Sequence, residues 1–176
     1  MSVRSVVFVV LAVFALIACG PSAAQIKTAR TARYHADASV VFQAGVAALK
    51  ANDYKVEQAD PVTGRASTTG KWYEVDGTSM SRDSRGQAQM TSAGGILLSV
   101  EIAVQVDAGS FWVDVIPHVL QARSGYSAPL ELKPDDPAMP GWVSGKLDNI
   151  YVSIYDGLKQ YAAQPGSPAP GATAPQ

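Results

Sequence analysis

Within Ile96 to Val106, from Leu98 onward, large apolar residues alternate with small or polar ones. Leu98, Val100, Ile102, Val104 and Val106 share one side, and Ser99, Glu101, Ala103 and Gln105 share the other. Successive side chains of a β-strand point to opposite faces, so this stretch predicts a strand with one face buried and the other wet. Asp107-Ala108-Gly109-Ser110 has the residues of a hairpin turn, and Phe111 to Ala122 follows as the partner strand. Pro117 has no N–H to give to a ladder, which predicts an edge or a bulge at that point.

A second hairpin precedes the first. Tyr54 to Ala59 reads as a strand, Asp60-Pro61-Val62-Thr63-Gly64 as a turn, and Arg65 to Val75 as one continuous strand rich in Thr and aromatics. The polar stretch Asp76 to Gly95 is either an irregular loop or a ragged extension of that hairpin. Two helices are expected. Asp37-Ala38-Ser39 offers N-cap side chains, and Phe42, Val46 and Leu49 recur at helical spacing, so a helix should cover Ala38 to Ala51 and end at Asn52-Asp53. After a Pro-rich crossing segment, Arg123 to Gly141, the residues Val143, Leu147, Ile150, Ile154, Leu158 and Tyr161 step by three and four. They predict one long amphipathic helix ended by Pro165-Gly166. A one-sided sheet and two amphipathic helices are satisfied together when both helices cover the apolar face. The expected fold is therefore α+β, a two-layer sandwich of an antiparallel sheet of four to five strands with two helices on one face.

The ends of the chain differ in character from this middle. Arg4 is followed by an uninterrupted apolar run, Val6 to Ala18, the order of a secretory signal but too short to span a bilayer, which takes about 20 apolar residues. Cys19 comes next and is the sole cysteine, so it has no partner within the chain for a disulfide. The tetrad Leu16-Ile17-Ala18-Cys19 resembles the lipobox of bacterial lipoproteins. That resemblance implies cleavage of residues 1–18, a diacylglycerol on the Cys19 sulfur and an acyl chain such as palmitate on the new amino terminus. Several chains would hold the protein on a membrane, where one alone binds only marginally. Gly20 stands where an aspartate would retain such a lipoprotein in the inner membrane, so the resemblance implies the periplasmic face of the outer membrane. The competing reading is an ordinary secretory signal cut after Cys19 or Ala23. Residues 19–27 are small or polar and read as a tether, 28–163 as a single α+β domain, and 164–176 as a disordered tail of Pro, Gly, Ala, Ser and Thr. Such a tail is a spacer or a Pro-rich docking peptide.

The residues exclude several chemistries. With 14 Lys and Arg against 15 Asp and Glu, and the basic residues scattered, no clustered basic face for nucleic acid is expected. His35 and His118 are the only histidines and neither has a neighbour at metal-ligand spacing, so no metal and no cofactor is expected. The two would form a site only if the strand near His35 paired beside the strand of His118. Asp107 and Asp114 flank a hairpin and read as turn and surface residues rather than a glycosidase pair. Gly64 to Lys71 has five residues between its glycines and Trp72 after the lysine, which fails the phosphate-loop pattern. Asp135-Asp136, among Pro134, Pro137 and Pro140, lacks the ligand succession of a calcium loop. Lipidation would consume Cys19 as a nucleophile, and no catalytic residue is expected.

What remains is surface. Trp72, Tyr73 and Trp112 are placed on strands, and alternation puts Trp112 on the side of Asp114 and His118, opposite Phe111, Val113 and Val115. An exposed Trp112 among polar neighbours has the composition of a binding patch. Alternatively, Trp112 and Trp72 pair across strands, or the Arg123 to Gly141 segment covers them. The opening helix, then Tyr54-Lys55-Val56, the turn through Asp60 and Gly64, and Thr68 and Trp72 are similar to the helix-grip domains of the lipoprotein component C of the outer-membrane barrel-assembly machinery. The similarity covers Ser39 to Trp72, and Ala66 departs from the larger aliphatic residue such domains favour. It implies an accessory, non-catalytic envelope lipoprotein with an envelope protein as its partner. A second class is a module that binds a lipid or other apolar ligand between sheet and helices. An enzyme would need a concave cluster of His35 or His118 with carboxylates.

Overall fold

The computed structural model describes residues 20–73, 80–82, 88–90, 95–122 and 128–163. In chain order these form α1 (Ala23–Thr31), α2 (Ala38–Ala51), β1 (Val56–Asp60), β2 (Arg65–Thr68), β3 (Lys71–Tyr73), β4 (Met80–Arg82), β5 (Ala88–Met90), β6 (Ile96–Asp107), β7 (Ser110–Gln121), β8 (Leu130–Leu132) and α3 (Gly141–Leu158), with a final 3₁₀ turn at Lys159–Tyr161. The main sheet is antiparallel in the order β1-β2-β6-β7-β8, and β3 pairs with β6 beyond the end of β2. Strands β4 and β5 pair with each other inside the segment that sequence left open between a loop and a hairpin extension. The spine is the β6–β7 hairpin, in register from Ile96 opposite Gln121 to Asp107 opposite Ser110. Its two turn residues, Ala108 at φ 46° and Gly109 at φ 77°, are both left-handed, which matches the twist of the strands they join.

The fold is the expected α+β sandwich, with α2 and α3 on one face of the sheet. Leu98, Val100 and Ile102 of β6 and Val113, Val115 and Val119 of β7 are buried against Val41 and Leu49 of α2 and Ile150, Ile154 and Leu158 of α3. Helix α2 keeps the anticipated bounds, but the Asp37 side chain makes no capping bond, and the Asp37 carbonyl instead accepts from the Val40 and Val41 amides at 3.0 and 3.2 Å. The helix approaches the sheet closely at Gly45, where a Cβ would lie 2.6 Å from Ile102 Cδ1. Helix α3 stops at Leu158, earlier than the Pro165-Gly166 end expected for it, because the chain tightens into the 3₁₀ turn and then bridges Tyr34 at Ala162.

The strand expected from Arg65 to Val75 is broken in the described residues. Strand β2 pairs Arg65 with Ala103 and Ser67 with Glu101, whereas β3 pairs Lys71 with Leu98 and Trp72 with Leu97, a slip of one residue along β6. One extra residue is thus accommodated at Thr68-Thr69-Gly70, as in a β-bulge. Period-2 alternation carried through from Ala66 and Thr68 would have put Trp72 under the helices, and the slip moves it to the opposite face. The Thr68 hydroxyl closes the gap by accepting from the Val100 amide at 2.9 Å and donating to the Val100 carbonyl at 3.2 Å. Val100 needs that partner. Ala122 donates to Gly95 at 3.0 Å, so alternation along the hairpin makes Val100 and Pro117 a non-hydrogen-bonded pair. Pro117 accordingly directs its nitrogen toward the outer side, beyond the end of β8 at Val119, where the strand is locally an edge as its sequence predicted.

Helix α1 corrects the reading of residues 19–27 as a tether, since the chain is helical from Ala23. Ser22 and Gln25 form a reciprocal capping box, Ala29 is buried, and Arg30 Nε lies 2.7 Å from Asp148 Oδ1 of α3. These contacts offset the low apolar content that made the segment look unstructured. The two ends of the domain meet, because Tyr34 exchanges backbone hydrogen bonds with Phe111 at 2.8 and 3.0 Å and the Ala163 amide donates to the Arg33 carbonyl at 2.7 Å. Residues 1–19, with the tetrad that resembles a lipobox, and the expected 164–176 tail lie outside the described residues.

Two phenols belong to the core. Burial, and secondarily Tyr155, pushes the Tyr34 hydroxyl well above its ordinary value of 10.0, and burial, then Tyr73, does the same for Tyr54. Each group stays neutral in the folded state and ionises once unfolding exposes it to alkali, so its stabilisation is intact below the unfolded value and is lost as pH rises toward the folded one. Stability should therefore fall above pH 10.0 by up to about 1.4 kcal/mol per pH unit for each phenol, with tyrosinate absorbance rising together with loss of the fold. Ionisation of all seven tyrosines before any loss of structure would refute this.

Candidate interaction surfaces

The helices leave the second face of the main sheet open to whatever the rest of the chain supplies. Alternation along β7 places Trp112, Asp114, Ile116 and His118 there, and Trp112 stands opposite Gln105 of β6. Trp112 is half-buried. Its Nε1 donates to Asp114 Oδ1 at 3.1 Å, and the Arg33 guanidinium sits 4.2 Å from its ring centroid. Trp72 is also on this face but opposite Leu97, so the two tryptophans do not pair across strands. The cover over Trp112 is Arg33, whose backbone is fixed beside β7 by the Tyr34–Phe111 bridge. Ile116, 36% exposed, adds an apolar position between Asp114 and His118.

A row of charge crosses the same face. Arg65 of β2 pairs with Glu101 of β6, His118 Nε2 lies 3.5 Å from Glu101 Oε2, and His118 Nδ1 lies 3.8 Å from Glu131 Oε1 of β8. Sequence spacing missed this grouping because the residues are brought together by strand register. The hairpin pairing of Ser99 with His118 was the available signal, since it sets His118 diagonally beside Glu101. His118 is 46% exposed, and solvent-exposed pairs of this kind contribute little stability. The depression beside it is lined by Gln58, Asp60, Thr63, Arg65 and Glu101 and does not include the imidazole.

His35 is elsewhere. Its amide donates to the Tyr161 carbonyl at 2.8 Å, and its side chain lines a depression with Asp37, Gly109 and Tyr161. The depression lined by His35 does not include His118, and among the described residues no group of three or more His, Cys, Asp or Glu is placed to hold a metal. Of the carboxylates weighed for chemistry, those of Asp114 and Asp136 have structural partners, whereas Asp107 takes part through its backbone. The Asp107 carbonyl accepts from the Ser110 hydroxyl at the hairpin turn, Asp114 holds Trp112, and Asp136 accepts from the Ala138 amide at 2.8 Å in a turn. Asp60 accepts from the Thr63 hydroxyl and the Val62 amide, each at 2.9 Å, and these bonds hold its carboxyl below the ordinary range.

A second surface lies at the end of the domain where β3 meets the start of α3. The slip that turns Trp72 outward brings Tyr73 to the helix side, where its ring lies 4.6 Å from that of Trp142, tilted by 41°. Two ammonium groups flank the same ring, with Lys146 Nζ at 5.7 Å and Lys71 Nζ at 5.8 Å from the Tyr73 centroid. Trp142 and Lys146 sit four residues apart on α3, a helical spacing that could have singled them out in the sequence. They also line a depression with Pro21, Ile26 and Gly145, so this surface adjoins the beginning of the described chain. No protein-family model matches the chain, and comparison with curated proteins finds no significant relative.

Proposed function

We propose that this protein is a lipid-anchored, non-catalytic interaction module of a bacterial envelope, held by acyl chains on Cys19 at the periplasmic face of the outer membrane. The observation that carries the reading is the tetrad Leu16-Ile17-Ala18-Cys19, with the only thiol of the chain at its end and Gly20 after it. Membrane attachment then comes from lipid, and no helix among the described residues is long and apolar enough to cross a membrane. An interaction role is supported by the sheet face away from α2 and α3, where Trp112, half-buried under Arg33, lies beside Asp114 and the exposed Ile116, a patch suited to an envelope protein partner. The likeness of Ser39 to Trp72 to helix-grip domains agrees with an accessory role in envelope assembly. The alternative, an apolar ligand held between sheet and helices, is disfavoured where Gly45 leaves no room for even a methyl group beside Ile102.

Intact mass of protein extracted from membranes tests the anchor. The expected species starts at Cys19 and carries its diacylglycerol and amide-linked acyl chain. Cys19→Ala should move essentially all of the protein from the membrane fraction to the soluble one. A native chain that begins at another residue, or that bears a free thiol, would overturn the reading.

A further inference from the structure

We propose that the corner formed by Pro21, Ile26, Tyr73, Trp142, Lys71 and Lys146 is a membrane-docking surface that seats the domain on the anionic phospholipid headgroups of the leaflet holding its anchor. The inference rests on lipidation of Cys19 and adds to it a fixed orientation. A nine-residue tether would let the domain wander about 30 Å from the bilayer and present any side to it. Because α1 starts at Ala23 and is bound to α3 through Arg30 and Asp148, the free leash from Cys19 to the Ser22 cap is only about 10 Å long. The parts of the domain within that reach face the bilayer, and Pro21 itself lines the depression that contains Trp142 and Lys146.

The chemistry of the corner suits an interface between water and lipid. Tryptophan and tyrosine concentrate at headgroup level, where one end of the ring is wet and the other is apolar. Here the Tyr73 and Trp142 rings are in contact at 4.6 Å and both are half-buried, while Lys71 and Lys146 are exposed and reach around the Tyr73 ring. Long basic side chains beside such rings lay their stems on apolar surface and carry the ammonium to phosphate. Asp148, the acidic residue lining the depression, is occupied by Arg30 at 2.7 Å. With this corner on the lipid, Trp112 is not part of the contact and stays available to a protein partner.

The chain has three tryptophans, so each can be read alone. The full-length acylated protein is reconstituted into vesicles of phosphatidylethanolamine and phosphatidylglycerol with brominated acyl chains. In the Trp72→Phe, Trp112→Phe background, Trp142 emission should be quenched by the brominated lipid. In the Trp72→Phe, Trp142→Phe background, Trp112 emission should not be. Adding Lys71→Gln and Lys146→Gln should lower the ratio of docked to undocked orientations by roughly fivefold for each lysine, an effect that high salt should mimic. Circular dichroism of each variant checks that it is folded. Acylated protein that floats with the vesicles but shows Trp142 quenched no more than Trp112 would overturn the docking surface and leave the anchor standing. Unchanged Trp142 quenching in the lysine variants would overturn the headgroup contact. A chain that carries no acyl groups and does not float would overturn both.

Discussion

Thr68→Val is expected to destabilise the domain by about 2–6 kcal/mol, although it changes only a hydroxyl for a methyl. The Thr68 oxygen is the partner of both the amide and the carbonyl of Val100, at 2.9 and 3.2 Å. Val100 is 1% exposed and cannot turn to β7, where it faces Pro117 in a non-hydrogen-bonded pair. Removing the hydroxyl leaves two buried backbone groups unsatisfied, each costing about 1–3 kcal/mol. Thr68→Ser keeps the oxygen and should cost only about 1 kcal/mol for the lost methyl. Urea denaturation of the two variants measures the difference, and the Val100 amide should exchange with solvent faster in the valine variant. Equal midpoints for valine and serine would show that the hydroxyl does not bridge the bulge.

Gly45→Ala should behave against helix propensity. In an exposed helix interior the substitution gains about 1 kcal/mol. Here the new Cβ would sit 2.6 Å from the fully buried Ile102 Cδ1, and displacing that atom within a packed core costs about 1–3 kcal/mol, so net destabilisation is expected. Ile102→Val removes the offending carbon at its own cost of about 0.5–1.5 kcal/mol. The remaining neighbours of the new Cβ, Ile102 Cγ1 and Val113 Cγ1, are both at 3.9 Å, which is ordinary contact. The double variant should therefore be more stable than either single one, with a coupling energy of about 1–3 kcal/mol. Gly45→Leu should cost about 3 kcal/mol or more, because its side chain would have to enter space already filled from the sheet. Additive effects in the cycle would mean that α2 lifts away from β6 without resistance.

Where structure is carried by local spacing, it was legible. The alternation of Ile96 to Val106 and the Asp-Ala-Gly-Ser turn predicted the β6–β7 hairpin almost to the residue, since strand faces and turn chirality depend on residues in immediate succession. Helix α2 has the bounds its sequence predicts, and the stripe expected from Val143 to Tyr161 forms the core side of α3 as far as Leu158. Helix α1 was missed. Its sequence buries only Ala29, and its binding to α3 draws on Arg30 reaching Asp148, an interaction no window of neighbouring residues contains. The Ser22-Ala23-Ala24-Gln25 capping box was a visible start signal for it.

The candidate surfaces divide in the same way. Trp112 was correctly put on the side of Asp114 and His118 from alternation alone. Its cover by Arg33 was invisible, because that contact depends on the Tyr34–Phe111 bridge between distant segments. The faces of Trp72 and Tyr73 were likewise not set by periodicity, since a single extra residue between β2 and β3 exchanges them. The charged row from Arg65 to Glu131 arises from four strands laid side by side.

The linear order of residues was thus enough for the layered α+β architecture, the main hairpin, two helices and the expectation of a lipid on Cys19, because each is written in a short run of neighbouring side chains. Only the folded molecule decided which way Trp72 and Tyr73 point, what covers Trp112, and that a helix begins as early as Ala23. Those outcomes follow from strand register and from packing between remote segments, whose energies depend on which surfaces meet once the chain has closed on itself.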